Sequence, residues 1–157
     1  MNRTQSPAPL QVKCILAPTD FSPGAEPALR WASGLSVAFG AKLEIVHVLD
    51  LSLTGVAGLP SELAAVSAMG QLLDQLREET KAEIAKVAAR YPQAKTRIRE
   101  GSPRTGVLDA ARDVGADLIV MGTHGRSGLA HIFFGSVAEY VVRQSPIPVL
   151  TVRQHDR

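Results

Sequence analysis

Short β-branched runs that alternate with longer helical patterns predict an α/β fold built on a parallel sheet. Two further observations support that class. The central runs are apolar at nearly every position, as strands covered on both faces require. The length of 157 residues, 45% of them apolar, suits one domain of roughly 100–200 residues with a core large enough to need no disulfide or structural metal.

Five strands can be placed in order. Residues 1–10 are polar, contain Pro7 and Pro9 and show no period, so they read as a mobile tail ahead of a domain over 11–155. The first strand spans Val12 to Ala17, the second Leu43 to Leu49 and the fourth Asp117 to Met121. Lys95 to Glu100, with one large apolar residue, reads as the third strand at a sheet edge, where charge discourages stray pairing. Val149 to Val152, flanked by Pro146 and Pro148, closes the chain as the fifth strand.

Four helices fill the intervals. Ser22-Pro23 and Ser102-Pro103 each place a capping hydroxyl before a proline at the first helical position, where a missing N–H costs nothing. From about Leu72 to Tyr91, residues Leu73, Leu76, Thr80, Ile84, Val87 and Tyr91 recur at spacings of three and four. The opposite face carries Asp74/Arg77, Glu78/Lys81 and Glu83/Lys86 pairs. Ser136-Val-Ala-Glu139 has the capping-box pattern and opens a last helix to about Gln144. Ser52 to Ser61, with two glycines and a proline, reads as a flexible loop.

Composition excludes several partners. The net charge is +2 and the 17 basic residues are dispersed, without the patch that nucleic acid requires. One Trp, two Tyr and four Phe do not form a base-stacking platform. No apolar run approaches the roughly 20 residues of a membrane span, and the single cysteine makes no internal bridge, so a cytoplasmic setting is expected. Cys14, within an apolar strand, reads as an inert core thiol. His47 reads as a packed or hydrogen-bonded strand-end residue, and His124 and His131 lack the helical spacing of a zinc pair.

In an open parallel sheet, ligands bind beyond the carboxyl ends of the strands. Three segments lie there: Ala17-Pro-Thr-Asp-Phe-Ser22, His47-Val-Leu-Asp50 and Met121-Gly-Thr-His-Gly-Arg-Ser-Gly128. In the third, glycines let backbone amides approach an anion closely, and Gly135-Ser136 follows at the entrance of a helix whose first N–H groups can receive it. Neither the phosphate loop of common NTPases nor the dinucleotide glycine fingerprint is present.

The spacing Gly122-x2-Gly125-x9-Gly135-Ser136 resembles the nucleotide-binding motif of the universal stress protein family in its ATP-binding form. Pro18-Thr-Asp-Phe-Ser22, His47-Val-Leu-Asp50 and Ser145-Pro-Ile-Pro-Val-Leu150 agree with it, in order, and the likeness runs from Val12 to Arg153. The resemblance implies a Rossmann-like three-layer domain with helices on both faces of a five-stranded parallel sheet, order 3-2-1-4-5. It also implies that Pro18, Thr19, Asp20 and Val48 form the adenine and ribose pocket. The family's methionine-glycine pair at the end of the fourth strand maps onto Met121 and Gly122, and its phosphate cradle onto Gly125, Gly135, Ser136 and the backbone of Val137, with Arg126 adding charge near the terminal phosphates. The expected ligand is ATP, or ADP or AMP, with or without Mg²⁺, for which Asp20 is the one candidate ligand. A homodimer through Val149 to Val152 is expected by analogy with relatives.

Plainer readings stand beside these. The glycines could be turn residues, Ser136 a helix cap and Asp20 the head of an Asx-turn. The leading function is nucleotide-dependent regulation in a stress response, with no catalytic residue assigned. A slow ATPase or phosphotransferase, and a nucleotide-independent dimeric scaffold, are the rivals.

Overall fold

A computed structural model of the chain describes residues 11–51, 63–123 and 134–154. The elements run β1 Cys14–Pro18, α1 Glu26–Phe39, β2 Lys42–Leu49, α2 Leu63–Arg90, β3 Ala94–Glu100, α3 Pro103–Val114, β4 Leu118–Gly122, α4 Ser136–Gln144 and β5 Val149–Val152. All strand pairs are parallel, and the sheet order is β3-β2-β1-β4-β5. Strand number, order and both edges agree with the sequence reading. The tail and the 52–61 loop lie outside the described residues.

Successive side chains of a strand point to opposite faces, so an apolar run feeds two cores at once. Cys14 and Leu16 of β1, Val46 and Val48 of β2, and Ile119 and Met121 of β4 join Val107, Ala110 and Val141 on one face. Ile15 and Ala17, Leu43 and Ile45, and Val120 pack on the other against Ala28, Leu29, Ile84 and Val87. Ile15, Leu16, Ile45, Val46, Ile119 and Val120 are all but inaccessible. Each such side chain contributes about 1.5–3 kcal/mol. The α2 stripe from Thr80 to Tyr91 is buried as its periodicity requires, and the three intrahelical ion pairs form at 3.3, 2.7 and 2.5 Å. All three pairs are exposed and add little.

Helix starts depart from the sequence reading in four places, the first being α2, which begins at Leu63 and not near Leu72. Ser22-Pro23 does not open α1, because the Ser22 N–H and hydroxyl are both given to Asp20 Oδ1 and the chain turns once more before Glu26. Ala25 is the N-cap, and Pro27, not Pro23, takes the first turn. Ser102 does precede α3, yet its side chain makes no capping bond, and its carbonyl accepts the Gly106 N–H at 2.8 Å. In α4 the N-cap is Gly135, so Ser136 is the first helical residue and the expected capping box does not form. The far ends of α1 and α3 close on Gly40 and Gly115, both at φ +63°, where a side chain would be strained.

Edge strand β3 carries charge for a second reason. The guanidinium of Arg97 lies 2.8 Å from the buried carboxylate of Glu44 on β2, so the edge supplies the cation for a carboxylate inside the sheet. On the other face Tyr91, at the end of α2, donates its hydroxyl to Glu26 Oε1 at 2.7 Å, and Arg90 pairs with Oε2. This latch joins the end of α2 to the start of α1. Burial, and then the Glu26 hydrogen bond, push the Tyr91 phenol up to about 12.

The ordinary phenol value is 10.0, so the folded state keeps Tyr91 protonated where the unfolded chain ionises it. The contribution is therefore complete below pH 10 and is lost as pH rises from 10 towards 12. Urea unfolding across that window should show stability falling with pH in the wild type. The fall should be shallower in Tyr91→Phe; equal slopes would remove the latch from the account.

Candidate functional site

Because all five strands run the same way, their carboxyl ends emerge along one rim, and strand order reverses between β1 and β4. A cleft of about 400 Å³ opens there. Its walls come from the turn after β1, the end of β2, the end of β4 and the first residues of α3 and α4.

The β1 turn is locally built. Pro18 pairs with Val46 as the last residue of the ladder, and the Thr19 N–H still reaches the Val46 carbonyl at 2.8 Å. The chain then folds on its own side chains: Phe21 N–H donates to Thr19 Oγ1 and Ser22 N–H to Asp20 Oδ1. Asp20 is therefore an Asx-turn residue and lines the cleft as well. The plainer reading and the binding reading describe the same carboxylate.

Across the cleft, Gly135 N–H donates to the Thr123 carbonyl at 2.7 Å, pinning the two ends of the glycine segment together. The Glu139 N–H then closes the first α4 turn on the Gly135 carbonyl. Helical geometry leaves the amides of Ser136, Val137 and Ala138 without an acceptor inside the helix, and these three residues line the cleft. The resulting partial positive charge suits an anion. Ser136 is not spent on a cap: its hydroxyl makes no hydrogen bond among the described residues. Gly135 sits at φ −69° and ψ 155°, a conformation open to any residue, so backbone strain is not why glycine stands there.

Pro18, Thr19, Asp20, Val48, Met121, Gly122, Gly135, Ser136 and Val137 all line this one cleft. The remaining expected site residues, Gly125 and Arg126, lie outside the described residues, as do His124 and His131. Sequence reasoning missed Ala25, Pro103, Val107 and Ala138 as wall residues, and it marked the segments that hold Asp50 and Thr123 without giving either a role. A signal for two of them was present: Ser102-Pro103 opens a helix directly after a strand, which must place Pro103 and Val107 at the same rim. His47 hydrogen-bonds as a strand-end residue, with Nδ1 2.8 Å from the Thr19 carbonyl oxygen, and also borders the cleft.

A depression of similar volume, about 440 Å³, lies at the opposite rim between Lys13, Phe39 and Lys42. No strand carboxyl end or helix N-terminus converges on it. Cys14 is buried, and burial followed by the Glu44 charge pushes its thiol up, which leaves it a poor nucleophile.

Residues 11–153 match the family described as the universal stress protein family. The chain belongs to that family. Among its relatives, the universal stress protein MJ0577 of Methanocaldococcus jannaschii is 31% identical over 156 residues, covering 90% of this chain and 95% of that protein. YxiE of Bacillus subtilis is 33% identical over 153 residues, covering 88% and 97%. Among solved structures, that of MJ0577 superposes with a TM-score of 0.81 at 30% identity, covering 94% of this chain and 100% of the other. A universal stress protein solved in complex with cAMP superposes with a TM-score of 0.57 at 26% identity, covering 91% and 98%.

The wall residue Val48 is set by its neighbour on α3. A Cβ built on Gly106 would sit 2.8 Å from Val48 Cγ1 and 3.1 Å from Cγ2. Valine is stiff about χ1 and cannot swing aside cheaply. Alanine is the better helix former by about 1 kcal/mol, but overpacking costs about 1–3 kcal/mol. Gly106→Ala should therefore lower stability in urea unfolding, and a stabilised variant would show that α3 does not abut Val48 this closely.

Proposed function

We propose that this universal stress protein binds an adenine nucleotide, ATP foremost, in the cleft between β1 and β4 and acts as a nucleotide-dependent regulator in a stress response. The observation that carries the reading is convergence. Five segments far apart in sequence deliver an apolar slot, a carboxylate and an anion-binding helix terminus to one cavity.

Each part of a nucleotide has a matching surface. Val48, Val107 and Met121 offer apolar walls for a base. The ladder alternation that turns Val46 towards β1 also turns the Val48 N–H and carbonyl that way, and β1 has already ended at Pro18. Those two groups form a donor–acceptor pair suited to a purine edge. Asp20 suits ribose hydroxyls, and the Ser136–Ala138 amides suit phosphate, with Gly125 and Arg126 assigned to the same cradle by family likeness. The neighbour solved with cAMP supports an adenine ligand on this framework. Mg²⁺, where the ligand brings it, would meet Asp20.

A nucleotide that favours one conformation or assembly shifts its population by its differential affinity. Edge strand β5, whose outer side faces no other strand among the described residues and where Leu150 stands exposed, is the proposed dimer contact through which such a shift would act.

Ser136→Asp separates phosphate recognition from helix stability. An acidic residue in the first helical turn favours the helix dipole by about 0.3–1 kcal/mol, so thermal stability should hold or rise. The same charge faces the phosphates, and calorimetry should show ATP affinity falling about ten-fold or more while adenosine affinity stays within about two-fold. Equal ATP binding by both proteins would remove the α4 terminus from the site.

A further inference from the structure

Phe21 is the one non-glycine residue with a positive φ, +63°, among the described residues. A left-handed backbone crowds the Cβ of a bulky side chain, and such conformations persist only where their surroundings hold them. Two neighbours meet it: the core of one sheet face, against which Phe21 packs, and His47. Its ring stacks on Phe21 with centroids 4.2 Å apart and planes inclined by 23°. Its Nδ1 lies 2.8 Å from the Thr19 carbonyl oxygen; a carbonyl only accepts, so Nδ1 carries the proton.

One buried ring thus grips the residues on both sides of Asp20. The grip is possible because β2 outruns β1: their ladder ends at Pro18 and Val46, and His47 is the next residue, opposite the turn. Within the turn, the Phe21 and Ser22 N–H groups close on Thr19 Oγ1 and Asp20 Oδ1 at 3.1 and 3.0 Å. The left-handed residue 21 and these bonds together make the turn in which Asp20 lines the cleft.

We propose that His47 is the positioning residue of the nucleotide site: by stacking on Phe21 and bonding Thr19 it holds the strained turn that aims Asp20 at the ligand. The proposal rests on the nucleotide-binding reading above and adds the device that preorganises it. It has a specific consequence. Glycine adopts a left-handed backbone without a side-chain penalty, so glycine at position 21 makes the stacked ring dispensable.

The test compares the wild type, His47→Asn and the double variant His47→Asn/Phe21→Gly. Asparagine keeps an N–H donor near the place of Nδ1 and removes the ring. One readout needs no nucleotide: hydrogen exchange at the Ser22 amide. The other is ATP affinity by calorimetry. In His47→Asn, exchange should quicken and affinity should fall, each by about ten-fold, as preorganisation is lost. The double variant should return both to within about three-fold of the wild type. Melting temperature does not decide the matter, because loss of a buried ring lowers it in both variants. Unchanged exchange and affinity in His47→Asn, or a double variant as weak as the single one, would overturn the proposal. A wild type that fails to bind ATP while the exchange pattern holds would overturn the nucleotide reading and leave the grip on the turn standing; ATP binding with an unresponsive Ser22 amide would do the reverse.

Discussion

The parallel ladder constrains everything else in the molecule. Parallel strands cannot be joined by tight hairpins, so each return needs a crossover helix, and helices then cover both faces of the sheet. Two consequences follow. The strands must be apolar on successive residues, as Ile15-Leu16, Ile45-Val46 and Ile119-Val120 are. Every strand also delivers its carboxyl end, and the following helix its amino end, to the same rim. The cleft is placed by topology before any side chain in it is chosen.

Because placement comes from topology, the residues that line the cleft also hold the fold together around it. Asp20 is the clearest case, since the carboxylate that heads the Asx-turn also faces the cavity. Gly106 lies one layer back, giving Val48 room to stand where it does. Thr123 and Gly135 hold the ends of the glycine segment together by one backbone bond. Such residues shape the cleft even where they do not line it, because a small displacement of a supporting layer moves the wall in front of it.

Much of this was legible in the sequence where one physical signal dominates. Short apolar runs placed the central strands and a three-and-four spacing the buried stripe of α2, and family likeness supplied the strand order. The nine expected site residues that the structure describes share one cleft because strand ends are marked by abrupt changes of composition, as at Pro18 and Gly122. Helix starts were misread where a neighbouring residue takes the capping serine's bonds or its place. Ser22 is a good cap in isolation, but Asp20 two residues earlier takes its donors. Ser136 has the capping-box spacing, yet Gly135 occupies the cap. The pairing of Arg97 with Glu44 and the stacking of His47 on Phe21 join residues far apart in the chain, and no local pattern announces them.

The central claim is that an adenine nucleotide occupies the rim between β1 and β4. Backbone amide chemical-shift mapping on addition of ATP tests it most directly. The account predicts shifts concentrated at Thr19 to Ser22, His47 to Leu49, Gly122, Thr123 and Ser136 to Ala138, saturating together. Shifts that gather instead around Lys13, Phe39 and Lys42 at the opposite rim, or no saturable shifts at millimolar ATP, would contradict it.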